Sequence, residues 1–192
     1  MKKYEFVPGD EITATSGQKL TRIRALEAIT AFSVQPGDLG GYLESEKNLS
    51  QHGNAWVSGT ARVYGDARVS GTAWLYGNAL VYGDARVSGN ALVSGDALVS
   101  GDARVYGDAR VYGEGLIFWA SQVGTENGTL TAYNTSSDEI EVTRGCFRGS
   151  IDEFLVASEN IHDDQTKTEY RLLLEVAKSR INRARTTKKE KA

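Results

Sequence analysis

One six-residue phrase, Gly-[Asp/Asn/Thr]-Ala-[Arg/Leu/Trp]-[Val/Leu]-[Tyr/Ser], runs without a gap from Gly53 to Phe118 and opens with glycine eleven times, at 53, 59, 65 and onward to 113. Self-similarity at so short a period marks a solenoid, and a hexapeptide period specifies a parallel β-helix in which each repeat gives one short strand and one corner. Three repeats, eighteen residues, then close one triangular coil. Alternation along an extended strand puts the Ala and Val of each phrase on the same inward face. Val stands at 57, 63, 69, 81, 87, 93, 99, 105 and 111, with Leu75 and Ile117 in the same slot. Two positions earlier stands Ala, from Ala55 to Ala109, then Gly115. Gly and Asp/Asn suit the unusual dihedrals of the corner.

Stacking at eighteen residues sorts the outward slot into three faces. One carries Arg68, Arg86 and Arg104, each two positions after Asp66, Asp84 and Asp102. A second carries Trp56, Trp74, Leu92 and Arg110, and the third Arg62, Leu80, Leu98 and Leu116. Stacked arginines repel unless neutralised, so the aspartate column is expected to pair with them, and the strip is the candidate for binding an anion or a partner. The apolar columns need cover. Trp56, Trp74, Leu80, Leu92, Leu98 and Leu116 are therefore expected at subunit or helix interfaces, with Tyr64 and Tyr82 stacked one coil apart beside the corner glycines.

The flanks read differently. Tyr4-Glu-Phe-Val7 and the turn Pro8-Gly-Asp10 open the chain, Leu20 to Phe32 leans to strand, and Gln35 to Gly41 is a turn. Leu43 and Leu49 fall in the Ala slot if the period is extended backwards, as a decayed coil would place them. Thr129–Asn134 and Ile140–Thr143 read as a hairpin around Ser136-Ser-Asp138, with Gly145–Gly149 a tight connection. Ser150-Ile-Asp-Glu153 is a capping box opening a helix to about Ile161. A second helix spans about Lys167 to Arg183, with Tyr170, Leu173, Leu174, Ala177 and Ile181 on one apolar face. The expected division is an N-terminal cap (1–42), a β-helix of about five coils (43–123), a hairpin cap (124–149), helices (150–185) and a disordered basic tail (186–192).

Composition limits function. There is no run of eighteen apolar residues and no apolar leader after Met1, so the expectation is a cytoplasmic chain with no membrane partner. The single cysteine, Cys146, excludes an internal disulfide and a cysteine-rich zinc site, and no metal is expected. Seven Lys/Arg and one Glu lie from residue 178 on, leaving 15 basic and 24 acidic residues before them. An acidic body with a basic tail makes nucleic acid an unfavoured partner.

Residues 53–118 resemble the left-handed β-helix of hexapeptide-repeat proteins, a superfamily rich in trimeric acyltransferases. Over most of its length the chain is similar to hexapeptide-repeat proteins of phages, prophages and enterobacteria, often labelled acetyltransferase or polymer-forming protein. Gly37-Asp-Leu-Gly-Gly41, Asn48-Leu-Ser50, Gly53-Asn-Ala-Trp-Val57, Gly145-Cys-Phe-Arg-Gly149, Asp152-Glu-Phe154, His162 and Tyr170 carry the likeness, with the repeat itself. It implies left-handed winding and a homotrimer. An acyltransferase of this kind would use acetyl-CoA and a histidine general base, for which only His52 and His162 exist. Such enzymes interrupt the repeat with a pocket-building loop, and eleven uninterrupted repeats speak against one here. Cys146 and His162 make a nucleophile pair only if the fold brings them together. The leading expectation is a non-catalytic scaffold without cofactor that engages a host protein or a small anionic ligand, with a CoA-dependent acyltransferase as the alternative.

Overall fold

The structure, a computed structural model of the 192-residue chain, describes residues 2–112 and 115–189. It begins with an antiparallel cap. Strand β1 (Tyr4–Thr13) pairs with β2 (Lys19–Ala25), the irregularity between Phe6 and Glu11 falling at Pro8-Gly9. The strand expected to reach Phe32 ends at Ala25, and Thr30–Phe32 is a turn of 3-10 helix. Strand β3 (Leu39–Leu43) then pairs antiparallel with β2 on one edge and parallel with the solenoid on the other, so the cap sheet continues into one solenoid face.

Each inward Val or Leu and the outward residue before it form a minimal strand. These are β4 (Trp56–Val57), β5 (Arg62–Val63), β6 (Arg68–Val69), β7 (Trp74–Leu75), β8 (Leu80–Val81), β9 (Arg86–Val87), β10 (Leu92–Ser94), β11 (Leu98–Val99), β12 (Arg104–Val105) and β13 (Arg110–Tyr112). They stack in parallel at eighteen-residue register: Trp56 on Trp74, Leu92 and Arg110; Arg62 on Leu80 and Leu98; Arg68 on Arg86 and Arg104. The result is a β-solenoid of about four turns, one fewer than expected. Every Ala from Ala55 to Ala109 and every Val from Val57 to Val111 in the inward slots is buried. Burying one Val contributes about 1.5–3 kcal/mol, and this term recurs on every side of every coil. At the corners the backbones come too close for a side chain: a β-carbon on Gly89 would stand 2.7 Å from the backbone nitrogen of Gly107.

The first coil corrects the backward extrapolation. Leu43 pairs with Val63 and Leu49 with Val69, twenty residues apart, so both leucines occupy the Val slot and not the Ala slot. By Trp56 the eighteen-residue register is in force. The two extra residues lie between Ser50, whose N–H reaches the Val69 carbonyl, and Gly53, which abuts Gly71. Ser50 is thereby the counterpart of Ser70 and Ser88, whose N–H groups donate to the carbonyls of Val87 and Val105.

A solenoid leaves strand edges at both ends, and buried backbone groups there need partners. Strand N–H groups point to the C-terminal end, as in Trp56 N–H to Ala73 O at 2.9 Å, so the first coil exposes carbonyls. One set is taken by β3, whose Tyr42 N–H donates to Ala61 O. Asn48 Nδ2 donates to the carbonyls of Gly65 (3.0 Å) and Ala67 (2.9 Å). Lys3 Nζ donates to those of Gly53 (3.3 Å) and Ala55 (2.7 Å). At the other end the last N–H groups find side chains: Arg104 N–H donates to Thr131 Oγ1 and Tyr106 N–H to the Tyr133 hydroxyl.

The C-terminal module holds those side chains. It is an antiparallel sheet of β14 (Ile117–Val123), β15 (Gly128–Asn134), β16 (Ile140–Arg144) and β17 (Phe147–Ser150). The expected hairpin is β15–β16. Residues 117–123, expected as the end of the β-helix, are instead its antiparallel neighbour, and the expected tight connection is partly strand β17. Ser150 caps α1 (Ile151–Ile161) with the reciprocal Glu153 contact. Helix α2 (Asp164–Lys189) starts earlier and ends later than its apolar face indicated. Asp163 Oδ1 accepts from Thr166 N–H (2.7 Å) at its start, and Arg185 Nε donates to Asn134 Oδ1 (2.6 Å) near its end. The tail expected to be disordered is therefore helical through residue 189, and 190–192 lie outside the described residues. Tyr170, Leu174, Ala177 and Ile181 are buried with Leu116, Leu130 and Val142. Thus α2 covers the sheet and Leu116 rather than a whole apolar column.

Candidate functional site

The charged face is where the repeat departs from self-satisfaction. Arg68 stands opposite Arg86, and Arg86 opposite Arg104, on strands about 4.8 Å apart. Arg104 is drawn into the C-terminal module, its Nη1 donating to the Gly145 carbonyl at 2.7 Å. Arg68 and Arg86 are exposed, and neither guanidinium makes a hydrogen bond or salt bridge within the described residues. The aspartate column makes no salt bridge to them among the described residues, although the charge of Arg68 acts on Asp66. Each Asp sits in the turn and each Arg on the strand after it, and other groups reach the ends of the column. Asp66 pairs with Lys47 Nζ at 2.8 Å, and that hydrogen bond and charge hold its carboxyl below the usual range. Asp102 accepts from Thr129 Oγ1 at 3.4 Å. The other two corners avoid a carboxylate column by amides: Thr60 donates to Asn78, Asn78 to Asp96 and Asn90 to Asp108.

Beside the two arginines lies a cleft of about 450 Å³, lined by Arg68, Ser70, Arg86, Ser88, Tyr106 and Arg148 among others. Its floor exists because Ser70 and Ser88 are small and stand one coil apart in a slot that holds tyrosine at 64, 76, 82, 106 and 112 and serine at 58, 94 and 100. In the matching slot of another corner, Tyr64 and Tyr82 stack at 5.1 Å and fill the space. Arg148 closes the end of the cleft from β17. Its Nε and Nη2 donate to Glu141 at 2.7 and 3.0 Å, a hydrogen-bonded pair that holds the guanidinium pKa above its ordinary value. Glu141 also accepts from the Tyr133 hydroxyl, whose own titration is pushed up by burial and by that carboxylate. Tyr133 in turn accepts from Tyr106 N–H (3.3 Å), so one chain of bonds ties Arg148 to the last coil. Gly107 leaves the room: a β-carbon there would lie 2.7 Å from Arg148 Cζ. Three guanidiniums converge here, with Glu141 bonded to Arg148 and the charges of Asp66 and Asp108 acting on Arg68 and Arg148, and guanidinium forks suit an anion.

Sequence reasoning named Arg68 and Arg86. It missed Ser70 and Ser88, although two serines at eighteen-residue spacing beside the arginines were a readable sign of a notch. It missed Arg148, whose place depends on how the C-terminal sheet docks.

The apolar columns divide. Trp56 (1% exposed), Leu116 (3%) and Tyr64 (7%) are buried within this single chain, Leu116 against α2. Phe32 from the N-terminal cap stacks on Trp74 at 4.8 Å and 22°, and Trp74 Nε1 donates to Ser58 Oγ. Leu92 and Tyr82 are half-buried. Leu80 and Leu98 line an open groove of about 420 Å³ together with Trp119 and Arg180.

His52 is exposed before the first regular coil, its N–H donating to Ser50 Oγ. His162 ends α1, with Nδ1 3.1 Å from Ser158 Oγ and its ring edge-on to Tyr170 at 5.2 Å. The fold does bring Cys146 and His162 to one cleft, of about 210 Å³, with Phe147, Phe154 and Tyr170 between the sheet and α1. Among the described residues, no three His, Cys, Asp or Glu side chains converge as metal ligands would, and no helix is long and apolar enough to cross a membrane.

Comparison with known proteins agrees with this architecture. The family model of the YdcK β-solenoid repeat matches residues 61–75, 85–102 and 103–116, within the stacked strands that carry the arginine face. No curated protein matches the chain.

Proposed function

We propose that this chain is a non-catalytic binding protein whose solenoid is a rigid scaffold for an anion site at Arg68, Arg86 and Arg148. One observation carries the reading: Arg68 and Arg86 stand in register on neighbouring coils with no hydrogen bond or salt bridge to either guanidinium among the described residues, beside a cleft of about 450 Å³. Like charges held this close on a fixed backbone weaken the fold unless something neutralises them, and Lys47 and Arg104 show that this chain satisfies other members of the same columns. Planar guanidinium forks match phosphate or carboxylate oxygens, and their hydrogen bonds to an anion are charge-assisted. The solenoid holds the backbone of the row in place, so ordering on ligand arrival is confined to the arginine side chains, about 0.5–1.5 kcal/mol each.

Calorimetric titration of the chain with inorganic phosphate tests this reading. Binding that weakens about tenfold to a hundredfold in Arg86→Gln supports it, that being the size of a lost charge-assisted bond. Heat of binding unchanged by Arg86→Gln, in a variant with intact β-sheet circular dichroism, contradicts it. The resemblance to phage and prophage proteins extends the proposal to left-handed winding, a homotrimer and a host-derived ligand or protein as partner. A monomeric mass in light scattering would remove the trimer without touching the anion site.

A further inference from the structure

The cleft is larger than an inorganic anion needs, and its walls differ in kind. A small ion occupies roughly the space of one or two water molecules, about 30 Å³ each, against about 450 Å³ here. The charged wall is Arg68 and Arg86. The opposite resource is Tyr106, one coil above Ser88 in the same slot. Its ring is half-buried and has no ring partner among the described residues, whereas Tyr64 lies on Tyr82 and Tyr76 on Trp74. The serine floor keeps the space in front of that ring open. Arg148 stands at the same end, fixed by Glu141, so the cleft stops there instead of letting a chain pass through.

Resting on the anion-site reading above, we infer that the ligand is a small aryl phosphate: a phosphate monoester carried on a flat ring. The phosphoryl group lies between Arg68 and Arg86, where two guanidinium forks and the Ser88 hydroxyl offer donors to its oxygens. The ring then reaches one coil further, to the face of Tyr106. A monoester suits the charge, because its dianion matches the two guanidiniums that have no salt bridge among the described residues, Arg148 being already paired with Glu141. Serine on the floor in place of tyrosine is what admits the ring, since a tyrosine at position 88 would occupy the same face of Tyr106.

Phenyl phosphate and ethyl phosphate are the probes, titrated calorimetrically into the full chain and into Tyr106→Leu and Arg86→Gln. Phenyl phosphate is expected to bind about tenfold more tightly than ethyl phosphate in the unaltered chain, the scale of one ring stacked on an aromatic side chain. Tyr106→Leu is expected to remove that preference while leaving ethyl phosphate affinity within about twofold, and Arg86→Gln to weaken both esters about tenfold or more. Equal affinity for the two esters overturns the aryl assignment and leaves the anion site standing. Loss of neither ester in Arg86→Gln shows that the anion-site reading itself has failed. A preference for the phenyl ester that survives Tyr106→Leu places the ring elsewhere and also overturns the inference.

Discussion

Gly107 and Arg148 share one space. A β-carbon on Gly107 would lie 2.7 Å from Arg148 Cζ, and Gly107 has φ of 62°. The corner of the last coil and the C-terminal sheet are thus fitted to each other at the edge of the arginine cleft. Gly107→Ala should cost about 1–2 kcal/mol from the left-handed backbone alone and should also displace Arg148. Gly101→Ala carries the same backbone strain, but there a β-carbon meets only Ser121 Oγ at 3.5 Å. Urea unfolding should find the Gly107 variant the less stable of the two, and calorimetry should find phosphate affinity lowered in it alone. Equal behaviour would mean that Arg148 is not held against this corner.

Ser88→Tyr should close the cleft without harming the fold. Tyrosine already occupies the matching slot at Tyr64 and Tyr82, whose rings stack at 5.1 Å and 7°. A tyrosine at 88 would lie one coil below Tyr106 and gain a similar stack, worth about 0.5–1.5 kcal/mol. Unfolding midpoints should stay level or rise while phosphate-ester binding is lost. Retained binding would place the ligand away from the serine floor.

Asn48 closes the first coil with two donors from one amide. Asn48→Ala leaves the carbonyls of Gly65 and Ala67 without that partner at a fully buried position, a loss of about 2–5 kcal/mol for the pair. Asn48→Asp should be worse, because it turns a carboxylate toward two carbonyls. A change under about 0.5 kcal/mol in either variant, typical of surface sites, would show that this edge is closed by other groups.

Lys3 makes stability depend on alkaline pH. Its buried ammonium is pushed down to about 8, with the charge of Glu27 opposing the shift. Between that value and the ordinary 10.5, the unfolded chain binds more protons at this side chain than the folded chain does, so the Lys3 contribution rises with pH across this window. The neutral amine keeps two N–H donors, enough for the carbonyls of Gly53 and Ala55. Measured by urea midpoints at pH 7.5 and 9.5, the unaltered chain should gain stability relative to Lys3→Met, up to about 3 kcal/mol over the whole window. Burial raises the Tyr4 phenol, which acts in the opposite sense only above its ordinary value near 10. Parallel pH profiles would contradict the burial of a charged Lys3.

The solenoid was legible because its period is unbroken: the pairs Trp56–Trp74, Leu80–Leu98 and Arg68–Arg86 follow from counting eighteen. Counting failed where the phrase is absent. Two extra residues after Ser50 move Leu43 and Leu49 from one inward slot to the other, and nothing in a decayed repeat marks an insertion. Periodicity also says nothing of what arrives from outside the coil. Lys47 takes Asp66 and Phe32 covers Trp74 from the N-terminal side, while Arg148 comes from the C-terminal sheet. Half of the candidate site was therefore written in the repeat, as a row of arginines. The other half was set by tertiary docking, which also decided which apolar columns remained uncovered.

The central claim is that Arg68 and Arg86 are held open for an anion. The most direct measurement is NMR of arginine Nε–Hε resonances during titration with phenyl phosphate. The account predicts saturable shifts at Arg68 and Arg86, with Arg24 and Arg171, paired to Glu5 and Glu159, staying still. Uniform small shifts across all four, or none at Arg68 and Arg86 at millimolar ligand, would contradict it.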